Sequence, residues 1–235
     1  MRDNGVPSSA VTDSSQIAVY QAVRCVGTLK PIFDPDSNAF KAPELNVSGT
    51  GFWVKEYECF VTCAHVIEDL LGVSIDLAGM LVVGGNGCPY QRMRFSIVDM
   101  QHDLAILCPD DSSDDLKKQI ERGLSFATED PKVADPIAYA GFPFGRWLLD
   151  DHHTPTYSEG LVGKQVLPDK RLTTIQCTGP VVGGYSGSPV VMKHAPDKLI
   201  GVLSNGPVKD GNTGNIFRAI HYSHVLRLCE LSAKL

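Results

Sequence analysis

Hydrophobic positions along this chain come in short runs. They are Gly51–Val54, Cys59–Ala64, Met80–Val83, Met93–Val98 and Leu104–Cys108, then Pro136–Ala140, Leu161–Val166, Leu172–Cys177, Pro189–Met192, Leu199–Ser204 and Ile216–Ile220. Val, Ile, Leu and Phe dominate the runs, and Gly, Asn, Asp and Pro lie between them, the signature of short strands joined by turns. Strands repeated in this way predict an all-β barrel or sandwich. Two segments break the pattern. Asp13 and Gln16 have capping-box spacing, and Ile17, Val19, Tyr20 and Val23 predict a short helix leading into a strand over Val23–Leu29. Near the other end, Ser223 is the expected N-cap of a helix whose Val225, Leu226, Leu228 and Leu231 form an inward stripe. Lys30 to Leu45, interrupted by Pro31, Pro35 and Pro43, reads as loop.

Between the two sets of strands lies Asp110-Asp111-Ser112-Ser113-Asp114-Asp115, followed by Leu116, Ile120 and Leu124 at helical spacing. A solvated linker with a short helix is a better reading than an acidic partner-binding tract, because charge runs are mostly plain surface. The expected organisation is a mobile tail over 1–16, one β unit over 17–125 and a second over 126–235, the two units forming one domain.

Composition sets limits on the partners. With 43% hydrophobic and 20% charged residues in 235, the chain is an ordinary globular protein with enough length for a sizeable core. Net charge is -6 and no Lys/Arg cluster stands out, which argues against a nucleic-acid partner. No apolar run approaches the ~20 residues that cross a bilayer, so no membrane partner is expected. Met1 to Gln16 lacks a basic start followed by an apolar core, and the seven cysteines are odd in number and scattered. Both features point to a reducing, cytoplasmic location with free thiols.

The candidate chemistry centres on Gly183-Gly184-Tyr185-Ser186-Gly187-Ser188-Pro189. Glycines around a single hydroxyl, just before a buried strand, allow positive φ and close backbone approach. Such a turn can push Ser186 outward as a nucleophile while aiming amide N–H groups at a developing oxyanion. A plain Gly/Ser turn would look the same in isolation. A base is available in Phe60-Val61-Thr62-Cys63-Ala64-His65, where strand alternation puts Cys59, Val61, Cys63 and His65 on one face. Zinc on that face is disfavoured, because strand positions four apart are roughly 13 Å distant, too far for Cys59 and Cys63 to share an ion. No metal and no cofactor are expected. A carboxylate is available at Asp103, which opens the run Leu104-Ala105-Ile106-Leu107 and at the rim of a core needs a partner such as an imidazole N–H. Taken singly, His65 reads as a structural histidine and Asp103 as a strand-entry cap.

Together the three motifs come in the order His65, Asp103, Ser186, and the chain resembles the trypsin/chymotrypsin-like serine peptidases, looking most like the HtrA-type branch without a PDZ domain. The likeness runs from about Val23 to Leu231. Supporting segments are Gly49-Thr50-Gly51-Phe52, Ala138-Tyr139-Ala140-Gly141-Phe142-Pro143-Phe144-Gly145, Ile175-Gln176-Cys177-Thr178, Leu203-Ser204-Asn205-Gly206 and Phe217-Arg218-Ala219-Ile220. The resemblance implies two six-stranded antiparallel β-barrels with a C-terminal α-helix. It also implies a serine endopeptidase acting on a polypeptide substrate through an acyl-enzyme. Ser186 is the implied nucleophile, His65 the base and Asp103 its orienter, with an oxyanion hole from the N–H groups of Gly184 and Ser186. The borrowed mechanism is the worked serine-peptidase triad of general enzymology.

By the same resemblance Ser204 supports the aspartate, Ser204, Asn205 and Gly206 pair with substrate backbone, and Pro180 and Phe217 line a shallow pocket. Small or medium apolar P1 residues are expected, with acidic P1 as the alternative if Arg218 lines that pocket. Tyr185 stands where zymogen-type members carry the aspartate that receives a new N-terminus, so no such activation is expected. Thr50 and Val66 replace a half-cystine pair common in extracellular members. Only 49 residues follow Ser186, too few for a PDZ domain beside the second barrel. The rival readings are a catalytically silent adaptor or binding module, and an esterase using the same triad. A regulatory protein partner that switches a resting loop arrangement is a further expectation.

Overall fold

The computed structural model describes residues 14–34, 38–70, 80–110, 112–144, 153–166, 173–204 and 215–235. The expected 1–16 tail lies almost wholly outside these residues, as do Asp13, Asn205 and Gly206. The sequence alternation becomes two barrels. Strands β1 (Val23–Asp34), β2 (Ala39–Val54), β3 (Cys59–Thr62), β4 (Met80–Gly85), β5 (Cys88–Asp99) and β6 (Leu104–Pro109) close in the order β1-β2-β3-β6-β5-β4. Strands β8 (Pro136–Gly141), β9 (Thr156–Val166), β10 (Thr174–Thr178), β11 (Pro189–Met192), β12 (Ala195–Ser204) and β13 (Ile216–His221) form a second ring, which β11 closes by pairing with both β8 and β12. The short β7 (Ser125–Phe126) is added outside this ring, parallel to β12.

Burial follows the period-two pattern of half-buried strands. In β10 Ile175 and Cys177 point inward and Gln176 outward; in β13 Phe217 and Ala219 point inward and Arg218 outward. Trp53 and Phe60 meet edge to face at 5.1 Å in the first core, and the second holds Tyr139 between Tyr185 and Phe217. Each fully buried aromatic of this size contributes roughly 1.5–3 kcal/mol of burial energy.

Several boundaries differ from the sequence reading. Over its described residues the Lys30–Leu45 stretch is not loop; β1 and β2 pair from Val23↔Phe52 out to Asp34↔Ala39, with a register shift between Lys30 and Ile32 that takes in Pro31 and Pro43. Strand β3 ends at Thr62, and Ala64–Ile67 forms a helical turn, α2, so His65 does not share a strand face with Cys59 and Val61. The linker helix α3 (Asp114–Glu121) is capped by Ser113 Oγ, which accepts from Leu116 N at 3.1 Å, and Leu124 lies beyond its end. The C-terminal helix α4 (Tyr222–Ser232) is capped by the His221 side chain rather than by Ser223. It buries Val225, Leu228 and Cys229, while Leu231 is 42% exposed.

The two terminal helices cross over. Helix α1 (Ser14–Ala22), which precedes the first barrel, packs on β8 and β12 of the second. Helix α4, which follows the second barrel, packs on β5 and β6 of the first as well as on β12 and β13. The chain thus ties its halves together at both ends, around the seam that holds the candidate site.

Candidate active site

The backbone first brings the histidine and the aspartate together. Extended Cys63 (φ -79, ψ 147) leads into α2, whose second residue is His65. Asp103 ends the β5–β6 turn at φ +57, a left-handed conformation that a short polar side chain tolerates better than most. Asp99 organises that turn. Its Oδ1 accepts from the N–H groups of Gln101 and His102, and its Oδ2 lies 2.7 Å from His102 Nδ1. The His102 ring in turn stacks on His224 of α4 at 4.3 Å.

The Asp103 carboxylate gathers donors from three directions. His65 Nδ1 lies 2.8 Å from Oδ2 and 2.9 Å from Oδ1, and the His65 backbone N–H donates to Oδ1 at 3.0 Å. Ser204, fully buried at the end of β12, donates its hydroxyl to Oδ2 at 2.5 Å. Burial alone would raise the Asp103 pKa, but the hydrogen bonds from His65 and Ser204 outweigh it and hold the carboxyl below its ordinary value. Asp103 is therefore anionic at neutral pH. It fixes the His65 tautomer so that Nδ1 carries a proton and Nε2 is free to accept one.

The Ser186 loop reaches the same seam through Thr50. Thr50 sits in β2 beside Gly51, which pairs with Thr62 just ahead of the His65 turn. The Thr50 N–H donates to Ser186 O at 2.9 Å, its hydroxyl donates to Gly184 O at 2.7 Å, and that same oxygen accepts from Phe142 N at 3.0 Å. A Cβ on Gly49 would meet Val66 Cγ2 at 2.7 Å and Ser186 O at 3.0 Å. Ser186 and the neighbour of His65 thus lie on either side of one absent methyl group. Ser186 itself is 7% exposed.

The glycine turn has the conformation its sequence invites. Gly184 and Gly187 have φ of +96 and +87. A Cβ on Gly187 would drive into Thr50 O, so glycine is required there by space as well as by angle. Gly183 O accepts from Phe144 N at 2.6 Å. The intervening peptide is trans, so the Gly184 N–H is turned the opposite way, away from Phe144.

The other sequence-selected residues divide. Tyr139 donates its hydroxyl to Pro180 O at 2.8 Å, and Phe217 packs edge to face on Tyr139 at 5.0 Å with 4% exposure. Arg218 points outward, and its Nη2 lies 3.4 Å from Ser204 Oγ. Among the described residues, Cys63, His65 and Asp103 are the one grouping whose donor atoms would suit a metal, all within 4.8 Å of one another. Burial and the nearby Asp103 hold the Cys63 thiol well above its usual range, and its sulfur lies 3.3 Å from Leu203 O. These donors are already engaged with one another and with backbone.

Sequence reasoning missed two supports. Thr50 was visible as a threonine between glycines, but its bonds to the Ser186 loop depend on contacts 134 residues away. The Asp99–His102–His224 brace could not be read, because its third member comes from the far end of the chain.

The model of the trypsin-like peptidase domain matches residues 49–202, most of the chain. No curated protein sequence gives a significant match. Among solved structures, the HtrA-type protease AlgW with a decapeptide superposes with a TM-score of 0.70 at 18% identity, over 94% of this chain and 68% of that one. The active form of the Rv3671c protease from M. tuberculosis does so with a TM-score of 0.62 at 16% identity, over 94% and 85%. At such identities the likeness speaks for the fold.

Proposed function

We propose, from the premise that this chain belongs to the trypsin-like peptidase family, that it is a serine endopeptidase working through an acyl-enzyme. Ser186 Oγ attacks the scissile carbonyl as His65 Nε2 takes its proton. Asp103 holds the opposite ring nitrogen and stabilises the imidazolium. The tetrahedral oxyanion is received by the N–H groups of Gly184 and Ser186. Collapse expels the amine, protonated by His65, and leaves the acyl group on Ser186. Water then enters through the same base and frees the carboxylic acid. One oxyanion donor is worth about 3 kcal/mol in measured enzymes.

The observation that carries this reading is the Asp103 carboxylate held between His65 Nδ1 and Ser204 Oγ at the seam where the Ser186 loop is bonded to Thr50. The substrate class that follows is polypeptide, and the peptide-bound state of AlgW agrees with it. For P1, the close packing of Phe217 on Tyr139 below Pro180 supports a shallow site for small or medium apolar side chains. A second reading, acidic P1, is favoured by the Arg218 guanidinium beside Ser204. A peptide library separates the two, and cleavage after Lys or Arg would overturn both.

The deciding experiment is labelling with a fluorophosphonate alongside casein turnover. Labelling of wild type but not of Ser186→Ala, with casein cleaved by wild type alone, is the expected result. An unlabelled wild type would identify a silent adaptor, and labelling with ester but no casein turnover would identify an esterase.

A further inference from the structure

We propose that Cys59 and Cys229 are a reversible cystine-forming site that staples the C-terminal helix to the first barrel. The two residues are 170 positions apart, yet their sulfurs lie 3.5 Å from each other. Cys59 opens β3, the strand that leads to His65, and Cys229 lies in the last turns of α4. Both are buried, at 3% and 0% exposure. A disulfide has an S–S length of about 2.05 Å, so the sulfurs need to approach by roughly 1.5 Å, within reach of side-chain rotation.

Three features single out this pair. First, the other buried thiols contact groups that are not sulfur. Cys25 Sγ is 3.2 Å from the Tyr90 hydroxyl and 3.3 Å from Gly84 O, Cys63 Sγ is 3.3 Å from Leu203 O, and Cys177 sits inside the second barrel. Among the described residues, Cys59 and Cys229 are the pair whose sulfurs are in direct contact. Second, the helix is already held in place on both sides of Cys229. Ser232 Oγ lies 2.6 Å from Ser96 Oγ, and His224 stacks on His102. Closing the bond therefore requires no new docking. Third, a further thiol is at hand. Cys108 stands on β6 one step beyond the registered pair Phe60↔Leu107, opposite Cys59, and it is only partly buried. The Cys229 hydrogen bond, burial and the charge of Cys108 all hold the Cys59 thiol well above its usual range. A protonated Cys59 thiol is a poor nucleophile, and both sulfurs are buried, so the pair stays reduced until an oxidant reaches it during local opening of the helix end.

The oxidant class is a hydroperoxide or a small-molecule disulfide. With hydrogen peroxide, one thiolate attacks a peroxide oxygen and the O–O bond breaks. A sulfenic acid forms, and the departing hydroxide takes up the thiol proton as water. The second sulfur then attacks the sulfenyl sulfur, the S–O bond breaks, and a second water leaves with the remaining thiol proton. The thiols lose two electrons to the peroxide. With oxidised glutathione, two exchanges give the same cystine and two glutathione thiols. The bond closes a very long loop, the case in which a cross-link restricts the unfolded chain most.

The proposal does not rest on the peptidase reading, and its test is independent of turnover. The full chain is treated with hydrogen peroxide or oxidised glutathione and digested without reductant. The expected product is one cross-linked peptide containing Cys59 and Cys229, lighter by two hydrogens than the separate pair. The oxidised protein should melt several degrees higher, and dithiothreitol should reverse the shift. Cys59→Ala and Cys229→Ala should each abolish the oxidation-dependent shift, whatever their own Tm. A cross-link mapped to another cysteine pair would overturn the proposal. So would sulfurs that remain alkylatable after oxidation and denaturation, or a correct cross-link with no rise in Tm.

Discussion

Asp103 shows how much of the site depends on single contacts. Its backbone is held at φ +57, and its carboxylate receives His65 and Ser204 together. Hydrogen bonds to a charged group are worth about 1.5–3 kcal/mol, so deleting the Ser204 hydroxyl should be felt twice. Ser204→Ala is expected to lower kcat/KM about tenfold with KM little changed, which steady-state kinetics on a peptide substrate will read. It should also weaken the fold near neutral pH, by an amount that fades in acid. The folded Asp103 pKa lies below its unfolded value, so its stabilising contribution is present above that unfolded value and is lost as pH falls through the folded one. The variant's deficit in Tm against wild type, read by circular dichroism, should therefore be full near pH 7 and shrink as both proteins are acidified. Gly187 makes the complementary case, because its place admits no side chain at all. Gly187→Ala should abolish fluorophosphonate labelling and lower Tm by several degrees, and an active, equally stable variant would refute the steric account. The residue types His65, Asp103 and Ser186 stood out in the sequence because the proposed chemical role calls for those residue types. Thr50 did not, because a threonine in a strand is ordinary until its partners are known.

At the level of elements, the sequence marked strand interiors well and strand ends poorly. Interiors are set by alternation, as in β10 and β13, and that is local. Ends are set by partners. The β1–β2 hairpin extends through prolines because each strand finds a register with the other, and β7 exists only because Ser125 and Phe126 meet Lys198 and Leu199. The start of α4 is a similar case. Ser223 has the composition of a cap, but His221 Nδ1 accepts from the Ser223 N–H at 3.4 Å and also meets the Ser223 hydroxyl at 2.9 Å. An acceptor nitrogen must be unprotonated. Burial, assisted by His224 and opposed by Asp130, pulls the His221 pKa down from 6.5 to about 4. The unfolded chain therefore takes up this proton first as pH falls. The stabilising contribution is complete above about pH 6.5 and is lost progressively toward pH 4. His221→Asn keeps a capping side chain and removes the titration. Wild type should lose Tm steeply between pH 6.5 and 4, and the variant should lose markedly less.

The whole molecule turns on the seam between the barrels, and Thr50 is its most connected residue. It belongs to the first barrel, yet its N–H holds Ser186 O and its hydroxyl serves Gly184 O and Phe142 N, all from the second. The crossed terminal helices hold the barrels near one another, but apolar packing alone does not fix their relative position to a few tenths of an ångström. Three polar contacts through one residue do, and they act on the turn that presents Ser186, the proposed nucleophile. Thr50→Val keeps the shape and removes only the hydroxyl, leaving the buried Phe142 N–H and the partly buried Gly184 carbonyl without it. An orphaned buried polar group costs about 1–3 kcal/mol. Thr50→Val is thus expected to lower Tm by several degrees and to reduce kcat far more than KM, because the Gly184 peptide, the proposed oxyanion donor, loses its anchor while the proposed substrate-facing surface is unchanged. Thr50→Ser retains the hydroxyl and should recover most of kcat. If valine and serine proved equally active, the contacts through Thr50 would be packing alone, and alignment of the two barrels would have to come from the terminal helices.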